Sequence, residues 1–567
     1  MKKLLDRNRI CITVALLALV FIASLPAFRS GIYQGHDLDF HLGRIQAIAQ
    51  ELQNGQFPVR YESEAWYGHG YVSTTFYGNI FLYIPALMYL AGLPVWRAYN
   101  IYVLLVNVAT VLVGFYSFKG IYNSRKWSLI ATTLYTLSGY RLSNLYVRTA
   151  LGEYSAMIFV PLVAYGIYRI YGKKDDRHNN AIKLTMPLII GATGLIESHI
   201  LTTEIVAVFV LIFALINFKQ TVKVIKELLI ALFAVLGLNA FFLVPFISSY
   251  SAMKLYINSA MTQTSIQGDG LYLSQIFGLV TIGRGSNWPW STDNEGFLNL
   301  GLLTVLCFVI IAITIIITLI KKDWIAKEHS KYKFKLAMTM FGFGLISAWI
   351  SSVYFPWNLF AGEGTFDKLM SSVQYPWRYS MFQTFFFVVA AVYCLKLVGA
   401  KLSDRTDSKI VEFNLLRRID KFSMVVLTFV GLVALATTAV FDYTLSYGNI
   451  TVNYADAPAD WADNLYLPDG TDRGLLENTD TTVDEESGRV TLPVLAYNNL
   501  HVYDESGNEL EWAAGDNNCI ETMYDGDANN ITVKFVEPIG WRISEVISLL
   551  SLVAVIILYK SKRKAEV

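Results

Sequence analysis

The 567 residues carry 54% hydrophobic and only 16% charged side chains, with a mean hydropathy of +0.41. A soluble globular chain carries about 25% charged residues, so composition excludes a water-soluble domain and points to an integral membrane protein. The net charge of +1 is a balance of signs segregated by region and names no partner, and no nucleic-acid ligand is expected.

The first apolar span, 10–28, follows Lys2, Lys3, Arg7 and Arg9. It is long for a signal core and ends in Pro26-Ala27-Phe28-Arg29, a poor cleavage site, so it reads as a retained helix. Next comes Gly35-His36-Asp37-Leu38-Asp39-Phe40-His41-Leu42-Gly43-Arg44. Ionisable groups at the edge of a bilayer are costly without a purpose. Apolar residues at Phe40, Leu42, Ile45, Ile48, Ala49 and Leu52 predict an amphipathic helix lying on the membrane. Asp37 and Asp39 would start it, as caps favoured by the helix dipole or as functional acids. In an extended strand, Asp37, Asp39 and His41 would instead share one side, with the residue types of a divalent-cation site for Mg or Mn.

Placing the Lys/Arg-rich connections 119–126, 173–183, 219–226, 321–335, 401–421 and 560–564 inside the cell predicts about twelve spans with both termini cytoplasmic. The expected spans are 10–28, 98–118, 126–142, 154–171, 182–197, 200–218, 228–247, 297–320, 336–353, 379–398, 422–441 and 543–559. The apolar stretch 76–93 must then stay outside as a re-entrant or interfacial segment, within a long first outer loop, 29–97. The domain expectation is a transmembrane part, 1–441, then an extracytoplasmic β-rich part, 442–541, then a last helix and basic tail, 542–567. The 442–541 stretch carries twenty acidic against three basic residues. Strands are expected at 490–497, 500–503 and 531–536, with Asp504-Glu505-Ser506-Gly507-Asn508 as a hairpin turn. Cys11, Cys307, Cys394 and Cys519 suggest neither a disulfide framework nor a zinc site.

Acids at one membrane face suit chemistry on a lipid-linked substrate. Transfer of a sugar from a polyprenyl phosphate needs a base for the acceptor proton and cations for the phosphate. Arg44, Arg60, Arg141, Arg148 and Arg378 are candidate cations, since guanidinium matches phosphate with paired donors. Arg378, ending Gln374-Tyr375-Pro376-Trp377-Arg378, reads equally as a snorkelling interface anchor. Glu153 and Arg148 flank a short segment and could pair with each other, and His199 could be a structural histidine. No Walker loop or dinucleotide fingerprint occurs.

These strings, with Gly55-Gln56-Phe57-Pro58-Val59-Arg60, Phe76-Tyr77-Gly78, Tyr140-Arg141-Leu142, Gly152-Glu153-Tyr154 and Ser198-His199, resemble the YfhO-like bacterial membrane proteins, also called the 6-pyruvoyl-tetrahydropterin synthase-related membrane family. That family looks like a branch of the GT-C glycosyltransferases, an α-helical polytopic fold. The resemblance implies Asp37 as the catalytic base with Asp39 as its alternative, and Glu153 as the second acid. His36, His41, Arg44, Arg60, Arg141, Arg148, His199 and Arg378 are the residues expected around the substrate. The resemblance also implies a polyprenyl-phosphate sugar donor and an envelope acceptor such as teichoic acid, at the outer face of a bacterial plasma membrane. Some members of the fold use a divalent metal and others do not. A flippase for lipid-linked saccharides would favour ionisable groups at mid-membrane and internal repeats, which the sequence lacks. A noncatalytic scaffold would need far fewer spans.

Overall fold

The computed structural model describes residues 2–561 apart from 173–179, 261–265, 280–297, 322–327, 404–410 and positions 363, 449 and 459. The basic connections expected at 173–183, 321–335, 401–421 and 560–564 therefore fall partly outside the described residues.

The protein is mostly helical, with apolar helices of membrane-crossing length and a β-rich region near the C-terminus. A bilayer core of about 30 Å needs roughly 20 apolar residues. Six described helices meet that standard: Val95–Tyr122, Leu151–Gly172, Gly301–Ile320, Pro376–Ala400, Lys421–Ser446 and Ile539–Lys560. A seventh crossing is formed if Ile225–Leu238 and Ala240–Ala252 count as one span, bent by 73°. The other expected spans fall on shorter or broken helices. Arg9–Ala23, Ala181–Ile196 and Ile200–Ile216 are short. The span expected at 126–142 divides into Arg125–Thr136 and Gly139–Tyr146. The break has a packing cause. Gly139 donates its N–H to Leu300 O at 3.3 Å, and a Cβ there would meet the Gly301 backbone at 3.1 Å.

The stretch 76–93 supplies Tyr83–Leu90 as its only described helix of more than a turn. Eight residues rise about 12 Å, too little to cross. The helix expected over 39–52 forms as Leu38–Gln53 but does not lie on a surface. Leu38, Leu42, Ile45, Ile48 and Ala49 enter the bundle core, while Phe40 and Ala47 enter a second core. The opposite side is covered, so a helix that the periodicity predicts as amphipathic is buried on both faces.

The cover comes from the C-terminal region. Ile32–Tyr33 pairs antiparallel with Thr451–Val452, and Val95 N–H donates to Ala455 O at 2.8 Å. Farther on, two antiparallel sheets form. Arg489–Leu495 is central with Cys519–Met523 in one, and Leu500–Tyr503 pairs with Thr532–Phe535 in the other. The hairpin turn at 504–508 is present: Asp504 Oδ1 accepts from the N–H groups of Ser506 and Asn508 at 2.9 and 2.8 Å. The β-rich part is not merely tethered. Tyr61, Tyr71 and Phe76 of the outer loop share one apolar core with Trp461, Tyr466, Leu492 and Val502.

Candidate active site

A cavity of about 500 Å³ opens where five chain segments meet, one of them giving Tyr256, Ile257, Ile266 and Asp269. The first outer loop gives His36, Asp37, Asp39, Phe40, His41 and Tyr77. The turn after Gly139–Tyr146 gives Arg148, the start of Pro376–Ala400 and the residues just before it give Arg378, Gln374 and Tyr375, and the C-terminal region gives Trp461 and Asp463.

Local structure explains how each arm is held. Asp37 is the N-cap of Leu38–Gln53, yet its side chain makes no cap hydrogen bond. Its backbone N–H donates to Arg148 O at 2.9 Å, and His36 N–H donates to Val147 O at 3.3 Å. The first loop is thus tied by main chain to the segment carrying Arg148. Among the described residues nothing donates to the Asp37 carboxylate, which stands half-buried at the cavity wall. Asp39 is more engaged, with Oδ2 accepting from Gln34 Nε2 at 3.1 Å. His36 is exposed at the mouth.

Glu153 is the opposite case. It is 2% exposed. Its Oε1 accepts from Tyr140 Oη at 2.7 Å and Asn144 Nδ2 at 2.9 Å, and its Oε2 accepts from Arg148 Nη1 at 2.7 Å. Arg378 Nε stands 3.9 Å from the same oxygen. Glu153 does not line the cavity. Of the two sequence readings of Glu153, a second acid at the site or a partner of Arg148, the structure contains the pair, with both guanidinium groups held from behind.

Those two cations reach the cavity. Arg148 uses Nη1 on Glu153 and on Asn144 Oδ1 at 2.7 Å. Arg378 uses Nη1 on Val373 O at 2.7 Å and Gln374 Oε1 at 2.9 Å. The second Nη of each makes no hydrogen bond among the described residues. Burial disfavours the Arg148 charge, but Glu153, Tyr140 and Asp37 outweigh it and hold the group above the ordinary guanidinium range. Both cation-bearing segments turn through left-handed backbone, Thr149 at φ 52° and Gln374 at φ 62°. Such conformations cost non-glycine residues and concentrate at functional sites.

The remaining expected residues divide. His41 lines the cavity, with Nδ1 3.4 Å from Arg44 Nη1; burial and then Arg44 hold it well below the usual imidazole value. It is neutral at pH 7. Arg44 itself is buried behind the wall, bonded to Asn79 and 4.3 Å from the Tyr77 ring centre. His199 caps Ile200–Ile216 through Thr202, and burial, with Arg378 next, lowers it to about 3. It lies near Glu153 without lining the cavity. Arg141 is fully buried elsewhere, donating to Thr136 O, Asn107 Oδ1 and Thr110 Oγ1 at 3.0, 2.8 and 3.0 Å. Arg60 lines a different cavity. Neither Arg60 nor Arg141 is available to this site, because each is committed to partners around the bundle.

The extended-strand arrangement of Asp37, Asp39 and His41 is not the one formed. Among the described residues, no group of three or more His, Cys, Asp or Glu side chains converges to hold an ion. The chain enters a helix at Leu38, where residues two apart point about 200° away from each other. Asp39 therefore turns to Gln34 and His41 to Arg44.

Sequence reasoning passed over Asp463. It accepts from Tyr71 Oη and from Leu465 N–H at 3.1 Å, and burial pushes it up to about 6. The available signal was Asp460-Trp461-Ala462-Asp463, aromatic and acidic together, but it sat among many solvated acids. Trp461 fixes this arm. A Cβ on Gly43 would fall 1.9 Å from the Trp461 ring, so only glycine lets the indole settle on the first-loop helix.

No family model matches the chain. A curated relative in Lactococcus lactis subsp. cremoris (strain MG1363), described as an uncharacterized protein, is 26% identical over 246 residues. That stretch is 42% of this chain and 39% of the relative, so the match spans less than half of either. Among solved structures, the arabinofuranosyltransferase AftD from mycobacteria shows a TM-score of 0.42 at 13% identity. The superposition covers 77% of this chain and 27% of that one. The chemistry of the cavity therefore has to be read from its own side chains: one unengaged carboxylate, two anchored guanidinium groups, a neutral imidazole and aromatic walls.

Proposed function

We propose that the protein is an inverting GT-C-type glycosyltransferase. It moves a sugar from a polyprenyl-phosphate donor to a hydroxyl of an envelope acceptor, such as a teichoic acid, on the extracytoplasmic face. This is the activity implied by the resemblance to the YfhO-like proteins. The observation that carries it is the Asp37 carboxylate, free of side-chain donors among the described residues, in a cavity walled by Arg148 and Arg378.

Asp37 takes the acceptor's proton as the acceptor oxygen bonds to the anomeric carbon. The bond from that carbon to the phosphate oxygen breaks. The departing phosphate keeps the electron pair, and its charge is met by the unused N–H groups of Arg148 and Arg378. Glu153 fixes both cations without competing for the acceptor. An apolar cavity of about 150 Å³, lined by Phe209, Phe382, Phe386 and Val160, lies between helices and has room for a short stretch of a prenyl chain.

The orientation follows from charge. Arg125 starts its helix, Lys119 and Arg169 lie in the last turns of theirs, and Lys396 donates to Tyr122 O. All lie at helix ends opposite those that bear the cavity. Cationic ends favour the cytoplasm, so the cavity faces outward in a bacterial plasma membrane.

The test is Asp37→Asn in the full chain, read by glycan composition of the cell envelope and by transfer in reconstituted vesicles. Loss of transfer with unchanged expression and melting temperature supports the reading. Full activity in that variant removes Asp37 from the mechanism and the proposal with it.

A further inference from the structure

One polar atom at the Asp37 cavity is used neither by the fold nor by the transfer step, and that is Nε2 of His41. The side chain is 4% exposed and lines the cavity. Its one hydrogen bond among the described residues is made at the other ring nitrogen, where Arg44 Nη1 lies 3.4 Å from Nδ1. A guanidinium carries N–H donors and no acceptor, so Nδ1 must be the acceptor. In a neutral imidazole one nitrogen accepts and the other holds the proton. The proton is therefore on Nε2. An imidazolium would set N–H against N–H at Arg44, so the same contact keeps the ring neutral, and burial acts in the same direction.

The arrangement is fixed from behind. Asn79 Oδ1 accepts from Arg44 Nη2, and Asn79 Nδ2 donates to Thr74 O at 2.7 Å, which sets the amide's orientation. The Tyr77 and Phe40 rings hold the guanidinium at 4.3 and 5.5 Å from their centres. Thr74, Asn79 and Arg44 are all buried. Arg44 is thus a positioning residue that presents one tautomer of His41 to the cavity. His41 N–H donates to Asp37 O at 3.2 Å, so the two residues stand one helical turn apart on one face. Side chains so related start about 6 Å from each other, a separation comparable to the width of a sugar ring.

We propose that His41 determines specificity for the sugar of the donor: its Nε2–H donates a hydrogen bond to an uncharged ring hydroxyl of that sugar, seated along the first turn of Leu38–Gln53. The inference rests on the transfer reading above. The phosphate is met by Arg148 and Arg378, since an anion gains more from a guanidinium than from a neutral N–H. Asp37 is occupied with the acceptor's proton. The remaining donor in the cavity wall is the uncharged one, and the uncharged part of the lipid-linked substrate is its sugar.

Two measurements on the full-length protein in detergent test this. In ¹⁵N NMR spectra of histidine-labelled protein at pH 7, the signals lost in His41→Gln should belong to an Nε2–H tautomer. An Nδ1–H tautomer or an imidazolium would overturn the assignment, whether or not the protein transfers sugar. Binding is then read with polyprenyl phosphate and with its glucose, galactose and N-acetylglucosamine esters. His41→Leu is expected to weaken the best-bound ester by about fivefold, the size of one neutral hydrogen bond, and to leave polyprenyl phosphate unchanged. His41→Gln, whose amide nitrogen reaches the place of Nε2, should restore most of that loss, and His41→Asn, which reaches only the place of Nδ1, should not. Equal weakening of sugar-bearing and sugar-free probes, or no weakening of either, would overturn the proposal. Full activity in Asp37→Asn sinks the transfer mechanism and leaves both measurements standing, whereas a native protein that binds none of the esters sinks both readings.

Discussion

Asp37 and Glu153 lie on either side of Arg148, one reached through its backbone and the other through its guanidinium. The first sits at a cavity wall with no side-chain donor among the described residues, while the second is enclosed by Tyr140, Asn144 and Arg148 with Arg378 beyond. The same functional group is thus kept available in one place and used up in the other. A carboxylate saturated by donors is a poor proton acceptor, whereas one at an open cavity wall keeps its oxygens within reach of an acceptor hydroxyl. The lesson is that acidity near a membrane face does not define a catalytic group; what the neighbours leave unused does.

The comparison breaks most sharply by exchanging each acid for its amide. Asp37→Asn is expected to lower transfer by about 10²–10⁴-fold, the span of general-base catalysis, with an unchanged melting temperature. Glu153→Gln should act first on stability. It leaves Arg148 buried without its counter-charge, a loss of about 3–5 kcal/mol, visible as reduced yield of folded protein and a lower thermal midpoint. If Glu153→Gln folds like the native chain and loses only turnover, the two acids have been assigned the wrong way round.

A smaller effect sharpens the role of the cations. Arg378→Lys keeps the charge but gives up the planar pair of donors. Transfer kinetics in vesicles should show a fall of about 10-fold, mainly as a higher KM for the lipid-phosphate donor. A variant with native kinetics would make Arg378 an interface anchor beside Tyr375, which its ring stacks against Trp377 with centroids 4.3 Å apart.

The smallest expected effect concerns pH. Asp463 titrates at about 6 in the folded protein, above the ordinary aspartate value of about 3.9. The folded state holds that proton more tightly, so the stabilisation is complete below about pH 4 and is lost as pH rises through about 6. Asp463→Asn should therefore flatten the fall in melting temperature between pH 5 and 8 by about 1–3 °C. An unchanged slope would place the titration elsewhere.

Much of this was legible in the residues. The string 35–44 marked the first-loop arm because two acids and two histidines beside a bilayer need a reason. The strands and the 504–508 turn were readable from alternation and turn chemistry. Arg60 and Arg141 were misleading, because an arginine near a membrane face reads the same whether it meets a ligand or Asn107 and Thr110. Asp463 was invisible, since its 392-residue separation from Tyr71 leaves no local trace in a stretch rich in acids.

The sequence by itself determined that this is a membrane protein with long apolar helices, an acidic β-rich region and ionisable residues gathered at helix ends. Those properties follow from composition, period and charge, which act over a few residues. Only the tertiary structure decided which acid stays open, that Trp461 seats on Gly43, and that the first-loop helix is covered on both faces. These depend on segments hundreds of residues apart packing into shared cores, where burial and the last unfilled hydrogen-bond position are set by neighbours that no local pattern encodes.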